Sequence, residues 1–106
     1  VLDNLVDIKC GTYFTFVLTS NQEVYSCGDN EYCQLGRKAE GYLYDNLDNE
    51  FYYCPTLKKL DKLSKIVRIE CGSHHSMCID VHNDLFVFGS DLDTRDYEII
   101  FDTKDP

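Results

Sequence analysis

The sequence lacks several features that would each point to a particular class of protein. It has no apolar stretch of the roughly 18 residues that a membrane-spanning helix needs, and its amino end lacks the basic-then-apolar layout of a secretion signal. Basic residues are also scarce, since 19 Asp and Glu against 10 Lys and Arg give a net charge of −9. Such a chain is repelled by phosphate backbones and anionic lipid head groups. We therefore expect a soluble protein without a membrane span that does not bind nucleic acid directly.

Helical periodicity is missing as well. The best candidate for a helix, residues 57–65, is too short to be stable by itself. Elsewhere apolar and polar residues alternate, which is typical of strands with one buried face. Because 43% of the residues are hydrophobic and 13% aromatic, the chain has enough apolar side chain for a core. The sequence predicts a mainly β protein.

The cysteines do not have the pattern of a disulfide framework. Most lie inside alternating apolar segments, as small buried hydrophobic residues do, so we expect free thiols in a reducing compartment, the cytoplasm or the nucleus. The chain begins at Val1 without a methionine and ends at Pro106 after a charged run, and we expect it to be a piece of a longer protein. The six cysteines are Cys10, Cys27, Cys33, Cys54, Cys71 and Cys78.

An internal repeat is present, because residues 6–30 match residues 67–91 without a gap at an offset of 61. Each copy has the pattern of a strand that ends at a glycine, a second strand, a polar turn and a third strand. The polar turn is expected at Asn21 and Gln22 in the first copy and at Asn83 and Asp84 in the second. The identical pairs are Val6 and Val67, Ile8 and Ile69, Cys10 and Cys71, Gly11 and Gly72, and Gly28 and Gly89.

Two segments resemble the repeats of the regulator of chromosome condensation family. Residues 28–36, G-D-N-E-Y-C-Q-L-G, resemble its Gly-x-Asn-x-x-Gly-Gln-Leu-Gly signature, with Cys33 at the middle glycine. Residues 67–76, V-R-I-E-C-G-S-H-H-S, resemble the strand that carries Cys-Gly-x-x-His-Ser. The chain departs from the pattern at Phe14 and Thr15, which stand at the His-Ser positions, and after Gly89, where Gln-Leu-Gly is absent.

The resemblance implies a β-propeller, commonly of seven blades that are each a four-stranded sheet. Residues 1–106 would form a partial propeller of two adjacent blades, with repeat copies at 6–36 and 67–91 and an inserted loop at 37–54. The remaining blades of the ring are expected outside this chain. The residues to which the resemblance gives a structural role are Cys10, Gly11, Gly28, Gln34, Leu35, Gly36, Cys71, Gly72, His75, Ser76 and Gly89.

The inserted loop is rich in aromatic and acidic residues. Binding functions concentrate on loops that a rigid scaffold holds, so we expect a partner-binding surface here. In the alternative interpretation, these aromatics fold back over the edge of the blade as a small additional core. The candidate partner-binding residues are Tyr42, Tyr44, Phe51, Tyr52 and Tyr53.

A cluster of cysteines and histidines raises two chemical alternatives. Cys71, His74, His75 and Cys78 are potential zinc ligands, but side chains alternate across a strand, so this spacing does not converge on one metal. A cysteine nucleophile with His75 as its base would need an orienting group and an oxyanion site, and the sequence supplies neither. We therefore expect no enzyme activity, no catalytic residues, no metal and no cofactor, and we expect Gln34 to be structural.

These observations predict a scaffold for protein–protein interaction. The alternative comes from the resemblance, whose founding branch exchanges guanine nucleotide on a Ran-type small GTPase. A small GTPase is therefore one possible protein partner. Eight acidic residues in the second half form either a solvated face or a docking patch for a basic partner. They are Asp80, Asp84, Asp91, Asp93, Asp96, Glu98, Asp102 and Asp105.

Overall fold

The computed structural model describes residues 4–32, 34–37, 41–44, 50–89 and 100–102, with the backbone alone at 41–44, 50–51 and 100–102. Within these residues every regular element is a β-strand, and the strands form two antiparallel sheets. No helix in these ranges has the length and apolar character needed to cross a membrane.

The first sheet has five strands in the order β1-β2-β3-β5-β4. Its first three strands form a meander, in which Cys10 pairs with Thr15 across one turn and Leu18 pairs with Val24 across the next. The strands are β1 (Leu5–Cys10), β2 (Phe14–Thr19), β3 (Val24–Asp29), β4 (Gly41–Tyr44) and β5 (Glu50–Lys59).

The second sheet has four strands in sequential order and repeats the meander, with Cys71 paired with Ser76 and Ile79 with Leu85. The two sheets confirm the prediction of an all-β fold with two blades. The strands of the second sheet are β6 (Ile66–Cys71), β7 (His75–Asp80), β8 (Asp84–Gly89) and β9 (Ile100–Asp102).

The inserted segment differs from the loop predicted at 37–54. Part of it is a hairpin, because β4 pairs with the first half of β5, from Gly41 with Tyr53 to Tyr44 with Glu50. The aromatic residues that suggested a contact surface also favour strands, and β5 offers its outer edge for pairing. The first blade therefore carries a fifth strand beyond the four predicted.

The two hairpin turns repeat one another. Gln22 has a φ of 65° and Asn83 a φ of 69°, which are left-handed conformations 61 positions apart. In the first turn the Gln22 N–H donates to the Thr19 carbonyl at 2.9 Å, and in the second the Asn83 N–H donates to the Asp80 carbonyl at 3.0 Å. The second turn ends one residue earlier than predicted, since Asp84 already opens β8.

The core lies between the two sheets. Phe14, Phe16 and Leu18 alternate along β2, so their side chains share one face and are buried against the second sheet. Hydrogen bonds also join the two blades, from the Thr12 N–H to the Ser73 carbonyl at 2.9 Å, from the Ile66 N–H to the Gln22 carbonyl at 2.9 Å and from the Ser76 hydroxyl to the Gln34 carbonyl at 2.6 Å. The buried cluster comprises Phe14, Phe16, Leu18, Val24, Leu35, Cys54, Leu60, Leu63, Ile66, Ile69, Cys78 and Phe88.

Candidate functional site

An open cleft of about 380 Å³ lies at one end of the two sheets. At this end β1 turns into β2, β3 ends at Asp29, and β5 passes Tyr53, which pairs with Asp29. The bend of the second sheet between β6 and β7 lies at the same end, because Thr12 and Ser73 are hydrogen-bonded through backbone atoms and their hydroxyls lie 3.2 Å apart. The cleft therefore draws on both blades.

Aromatic and acidic side chains line this cleft, which we call the tyrosine cleft. Three of its tyrosines are well exposed: Tyr13 at 83%, Tyr32 at 44% and Tyr52 at 43%. The lining residues are Tyr13, Asp29, Glu31, Tyr32, Tyr52, Tyr53 and His74.

The loop with the Gln-Leu-Gly signature places Glu31 and Tyr32 in the cleft. The Gln34 side chain is fully buried, where its Oε1 accepts the Tyr32 N–H at 2.9 Å and its Nε2 donates to the Asp29 carboxylate at 3.1 Å. The buried Asn30 side chain accepts the Leu35 N–H at 3.0 Å. Because side-chain amides satisfy the backbone of the loop from inside, the loop keeps a defined shape while its outer residues face solvent.

Tyr13 occupies an unusual backbone conformation in the cleft. Its φ of 69° is in the left-handed region, which bulky residues seldom adopt. The Tyr13 carbonyl accepts the Asp29 N–H at 2.9 Å, and the Asn30 N–H donates to the Tyr52 carbonyl at 2.9 Å. These bonds join the bend, the signature loop and β5, so the tyrosine backbones are held relative to one another.

The tyrosine cleft is an acidic environment. Its carboxylates belong to Asp29, which accepts hydrogen bonds within the signature loop, and to Glu31. None of the seven lining residues that the structure describes is a lysine or arginine. Lys9, Lys59 and Arg68 form ion pairs with carboxylates outside the cleft, namely Asp7, Glu23 and Glu70. The cleft thus presents tyrosine rings together with negative charge.

The structure places the five predicted partner-binding residues on one hairpin. Tyr52 and Tyr53 line the tyrosine cleft. Tyr42 and Tyr44 lie on β4 and Phe51 lies on β5, and their side chains are outside the described part of the structure. Whether the hairpin binds a partner or covers a core stays a prediction.

At two pairs of glycines among the predicted structural residues, a larger side chain is sterically excluded. Gly28 and Gly89 have φ values of 112° and 132°, and a Cβ on either would come within 2.5 Å of a carbonyl oxygen. A Cβ on Gly11 would collide with the Phe14 ring, and one on Gly72 with the His75 ring. Phe14 therefore takes the place in the first blade that His75 takes in the second.

The remaining predicted structural residues lie at the junction between the blades. Leu35 is fully buried, and a Cβ on Gly36, whose φ is 69°, would come within 2.9 Å of the Phe88 ring. Ser76 is fully buried and donates to Gln34, as described above. Cys10 and Cys71 end equivalent strands, opposite Thr15 and Ser76.

The cluster of cysteines and histidines is divided among separate environments. Cys78 is buried in the core, His75 packs on Gly72, and His74 contacts the Tyr32 ring edge-on with 5.0 Å between ring centroids. Burial raises the pKa of Cys78 to about 12, and burial followed by the neighbouring Cys10 raises the pKa of Cys71 to about 12, which disfavours the thiolate that a metal or a nucleophilic mechanism needs. In the part of the chain that is described, no three His, Cys, Asp or Glu side chains are placed to hold a metal ion.

Sequence reasoning missed five of the seven lining residues: Tyr13, Asp29, Glu31, Tyr32 and His74. One available signal was that Tyr13 and His74 are 61 positions apart, directly before Phe14 and His75, and so hold the same place in the two repeats. A second signal was that, when some side chains of the signature loop are buried, its remaining side chains must face solvent.

Two family models match the chain. Both describe the regulator of chromosome condensation (RCC1) repeat, one over residues 21–79 and the other over residues 5–34. The first covers more than half of the chain.

Several characterised proteins have similar sequences. The serine/threonine-protein kinase Nek9 of Mus musculus is 39% identical over 72 residues, which are 67% of this chain and 6% of the kinase. The RCC1-like G exchanging factor-like protein of Homo sapiens is 28% identical over 86 residues, which are 80% of this chain and 17% of that protein. The regulator of chromosome condensation of Xenopus laevis is 29% identical over 85 residues, or 78% and 18% of the two chains. The chain thus spans less than a fifth of these relatives.

Solved structures show the same fold. Yeast RCC1 (Prp20), in its complex with Kap60, superposes with a TM-score of 0.68 at 24% identity over 84% of this chain and 21% of that chain. Human WBSCR16 superposes with a TM-score of 0.67 at 17% identity over 94% of this chain and 25% of that chain. The two sheets are accordingly two blades of a β-propeller. With its repeats, its signature loop and the matching family models, the chain belongs to the regulator of chromosome condensation (RCC1) repeat family.

Proposed function

We propose that this chain is a protein-interaction module of a longer, intracellular protein and that the tyrosine cleft is its contact surface. The observation that carries the proposal is the exposure of Tyr13, Tyr32 and Tyr52 around one cleft. Tyrosine is enriched in the central contact residues of protein interfaces, because it buries a large area and keeps a polar tip. Concentrated on one cleft, three such rings offer the anchor points of an interface.

The variety of the relatives supports a role in binding. Nek9 is a kinase and HERC2 of Homo sapiens is an E3 ubiquitin-protein ligase, and this chain matches 6% of the first and 2% of the second. Because a short shared repeat accompanies two different activities, a common role in recognition is more economical than a common reaction.

Site-specific photo-crosslinking tests this proposal directly. A photoreactive amino acid would be introduced in place of Tyr13 or Tyr32 in the protein that carries this chain, within its own cells. Val81, which is 46% exposed in the turn at the opposite end of the second blade, provides the matched control position. We expect a discrete protein adduct from positions 13 and 32 and none from position 81. Equal adducts from all three positions, or none from the cleft, would contradict the proposal.

Guanine-nucleotide exchange is the second candidate function. It is favoured by the similarity to an RCC1-like G exchanging factor-like protein, and by the fold shared with Prp20p, whose structure was described together with its binding to Gsp1p and histones. Under this candidate the protein partner is a small GTPase. The longer protein should then accelerate the release of a fluorescent guanine nucleotide from its GTPase, and a rate equal to that of the GTPase alone would rule the candidate out.

A further inference from the structure

The chemistry of the tyrosine cleft indicates what kind of segment it binds. We propose that the cleft receives an arginine side chain from a basic, extended segment of a partner protein. This inference rests on the proposed function and adds the chemical class of the ligand.

Charge is the first observation. The cleft carries the carboxylates of Asp29 and Glu31, and no lysine or arginine is among its described lining residues. The whole chain has a net charge of −9, so a basic segment is attracted over a distance and an acidic one is repelled. A cationic side chain therefore complements both the cleft and the surface around it.

The tyrosine rings are the second observation. An aromatic face attracts a cation through its quadrupole, and arginine takes part in such contacts more often than lysine does. Guanidinium is planar, so it can stack on a ring while its N–H groups reach a carboxylate in the same plane. The exposed rings of Tyr13 and Tyr32 line the same cleft as the Glu31 carboxylate, so the cleft offers both kinds of contact.

Backbone geometry is the third observation. Tyr13 has a left-handed φ of 69° and is 83% exposed. Packing in the core therefore does not explain why a tyrosine occupies this position. A conformation that is costly for a bulky residue persists where surrounding contacts hold it, and such residues cluster at binding sites. Here the Tyr13 carbonyl is held by the Asp29 N–H, and the aromatic side chain remains exposed at the mouth of the cleft.

The size of the cleft is the fourth observation. At about 380 Å³ it lies near the lower end of the range typical of ligand pockets, and it is open to solvent. It suits one or two side chains of an extended segment. A folded partner domain would have to present such a segment in order to use it.

A matched set of peptides tests the proposal with the full chain. The probes are fluorescein-labelled Gly-Ser peptides that carry two arginines, two lysines, two trimethyl-lysines or two citrullines at the same positions, and binding is measured by fluorescence anisotropy. Citrulline keeps the shape of arginine and loses its charge. We expect saturable binding of the arginine peptide, and affinity lower by about tenfold or more for the citrulline peptide.

Protein variants locate the binding site. Glu31→Gln removes one cleft charge, and Asp61→Asn removes one charge from the exposed turn after β5, at the far end of that strand. Tyr13→Asn removes the ring and keeps a residue that tolerates a left-handed φ. Glu31→Gln and Tyr13→Asn should each weaken arginine-peptide binding severalfold, while Asp61→Asn should leave it unchanged. Circular dichroism should show that each variant keeps its strands.

Four outcomes would overturn the inference: no saturable binding, equal affinity for the arginine and citrulline peptides, equal or higher affinity for either lysine peptide, or equal losses in Glu31→Gln and Asp61→Asn. These failures are distinct from failure of the proposed function. A crosslinked partner whose binding survives Glu31→Gln would leave the interaction module standing and remove arginine recognition alone. A crosslinking experiment without adducts would remove the module itself.

Discussion

Ile8 and Ile69 hold the same position in two copies of one repeat, yet Ile8 is 53% exposed and Ile69 is fully buried. The opposite faces of the blades differ in the reverse sense. Phe16 and Leu18 of β2 are buried, whereas their counterparts Met77 and Ile79 of β7 are only partly so. The first blade covers Ile69, and the second covers Phe16 and Leu18. Burial of a repeat position is therefore decided by the neighbouring blade as much as by the residue.

This difference explains why a propeller blade depends on neighbouring blades to bury its apolar side chains. Each sheet has two apolar faces, and a large part of each face is removed from water only when another blade packs on it. In the present chain one face of each blade is covered by the other. We expect further blades of a complete ring to cover the face that holds Ile8 and the face that holds Met77.

Truncation of the equivalent isoleucines should have the largest effect. Ile69→Ala leaves a cavity in the core between the sheets and should lower the free energy of unfolding by about 2–5 kcal/mol. Ile8→Ala removes exposed surface and should change it by less than about 0.5 kcal/mol. Urea denaturation of both variants measures the difference. Similar losses would mean that the cost in the free energy of unfolding depends on the position in the repeat and not on the neighbouring blade.

The same comparison can be sharpened with an additional blade. In a protein that carries one more repeat before this chain, the cost of Ile8→Ala should rise toward that of Ile69→Ala. If Ile8→Ala remains neutral in that protein, the added blade does not cover the Ile8 face of β1 in the way that the first blade covers the Ile69 face of β6.

Glycine positions should behave alike in the two blades, in contrast with the isoleucines. Gly28 and Gly89 both have a left-handed φ, and a Cβ on each would meet the carbonyl of Tyr13 or His74 at 2.5 Å. Because this strain is local, Gly28→Ala and Gly89→Ala should each cost about 1–3 kcal/mol. Thermal unfolding followed by circular dichroism measures both. If one of the two substitutions left the free energy of unfolding unchanged, the backbone of that blade would relax around the new Cβ. The two blades would then differ in backbone rigidity as well as in burial.

The sequence predicted these local features well. Gly28 and Gly89 mark strand ends, and Gln34 with Leu35 marks the signature loop, because each depends on residues close in the chain. The hairpin of β4 and β5 was missed, since pairing with an available edge depends on which neighbour is present. Most of the tyrosine cleft was missed for a similar reason: Tyr13, Tyr32 and His74 meet only after the sheets have formed.

A smaller difference is expected at the hairpin turns. The Asp80 carboxylate accepts two backbone N–H groups, those of His82 and Asp84, each at 2.9 Å, whereas the Thr19 hydroxyl accepts the Glu23 N–H at 3.3 Å. Charged acceptors make stronger bonds, so Asp80→Ala should cost about 1.5 kcal/mol and Thr19→Ala about 0.5–1 kcal/mol. Asp80→Asn keeps an oxygen acceptor and should retain part of the stability. A larger loss for Thr19→Ala would reverse this ranking of the turns.

Thiol labelling compares β1, whose Ile8 face is not covered by another blade, with β6, whose Ile69 face is covered. Cys10 is exposed and Cys71 is partly buried at the equivalent position. Burial, followed by the neighbouring Cys10, raises the pKa of Cys71 to about 12, so its labelling rate should be low at neutral pH and keep rising by about tenfold per pH unit up to pH 11. Mass spectrometry of labelled peptides should find Cys10 modified first. With Cys10→Ser as control, a rate for Cys71 that levels off near pH 9 would show that the neighbouring blade does not shield this thiol.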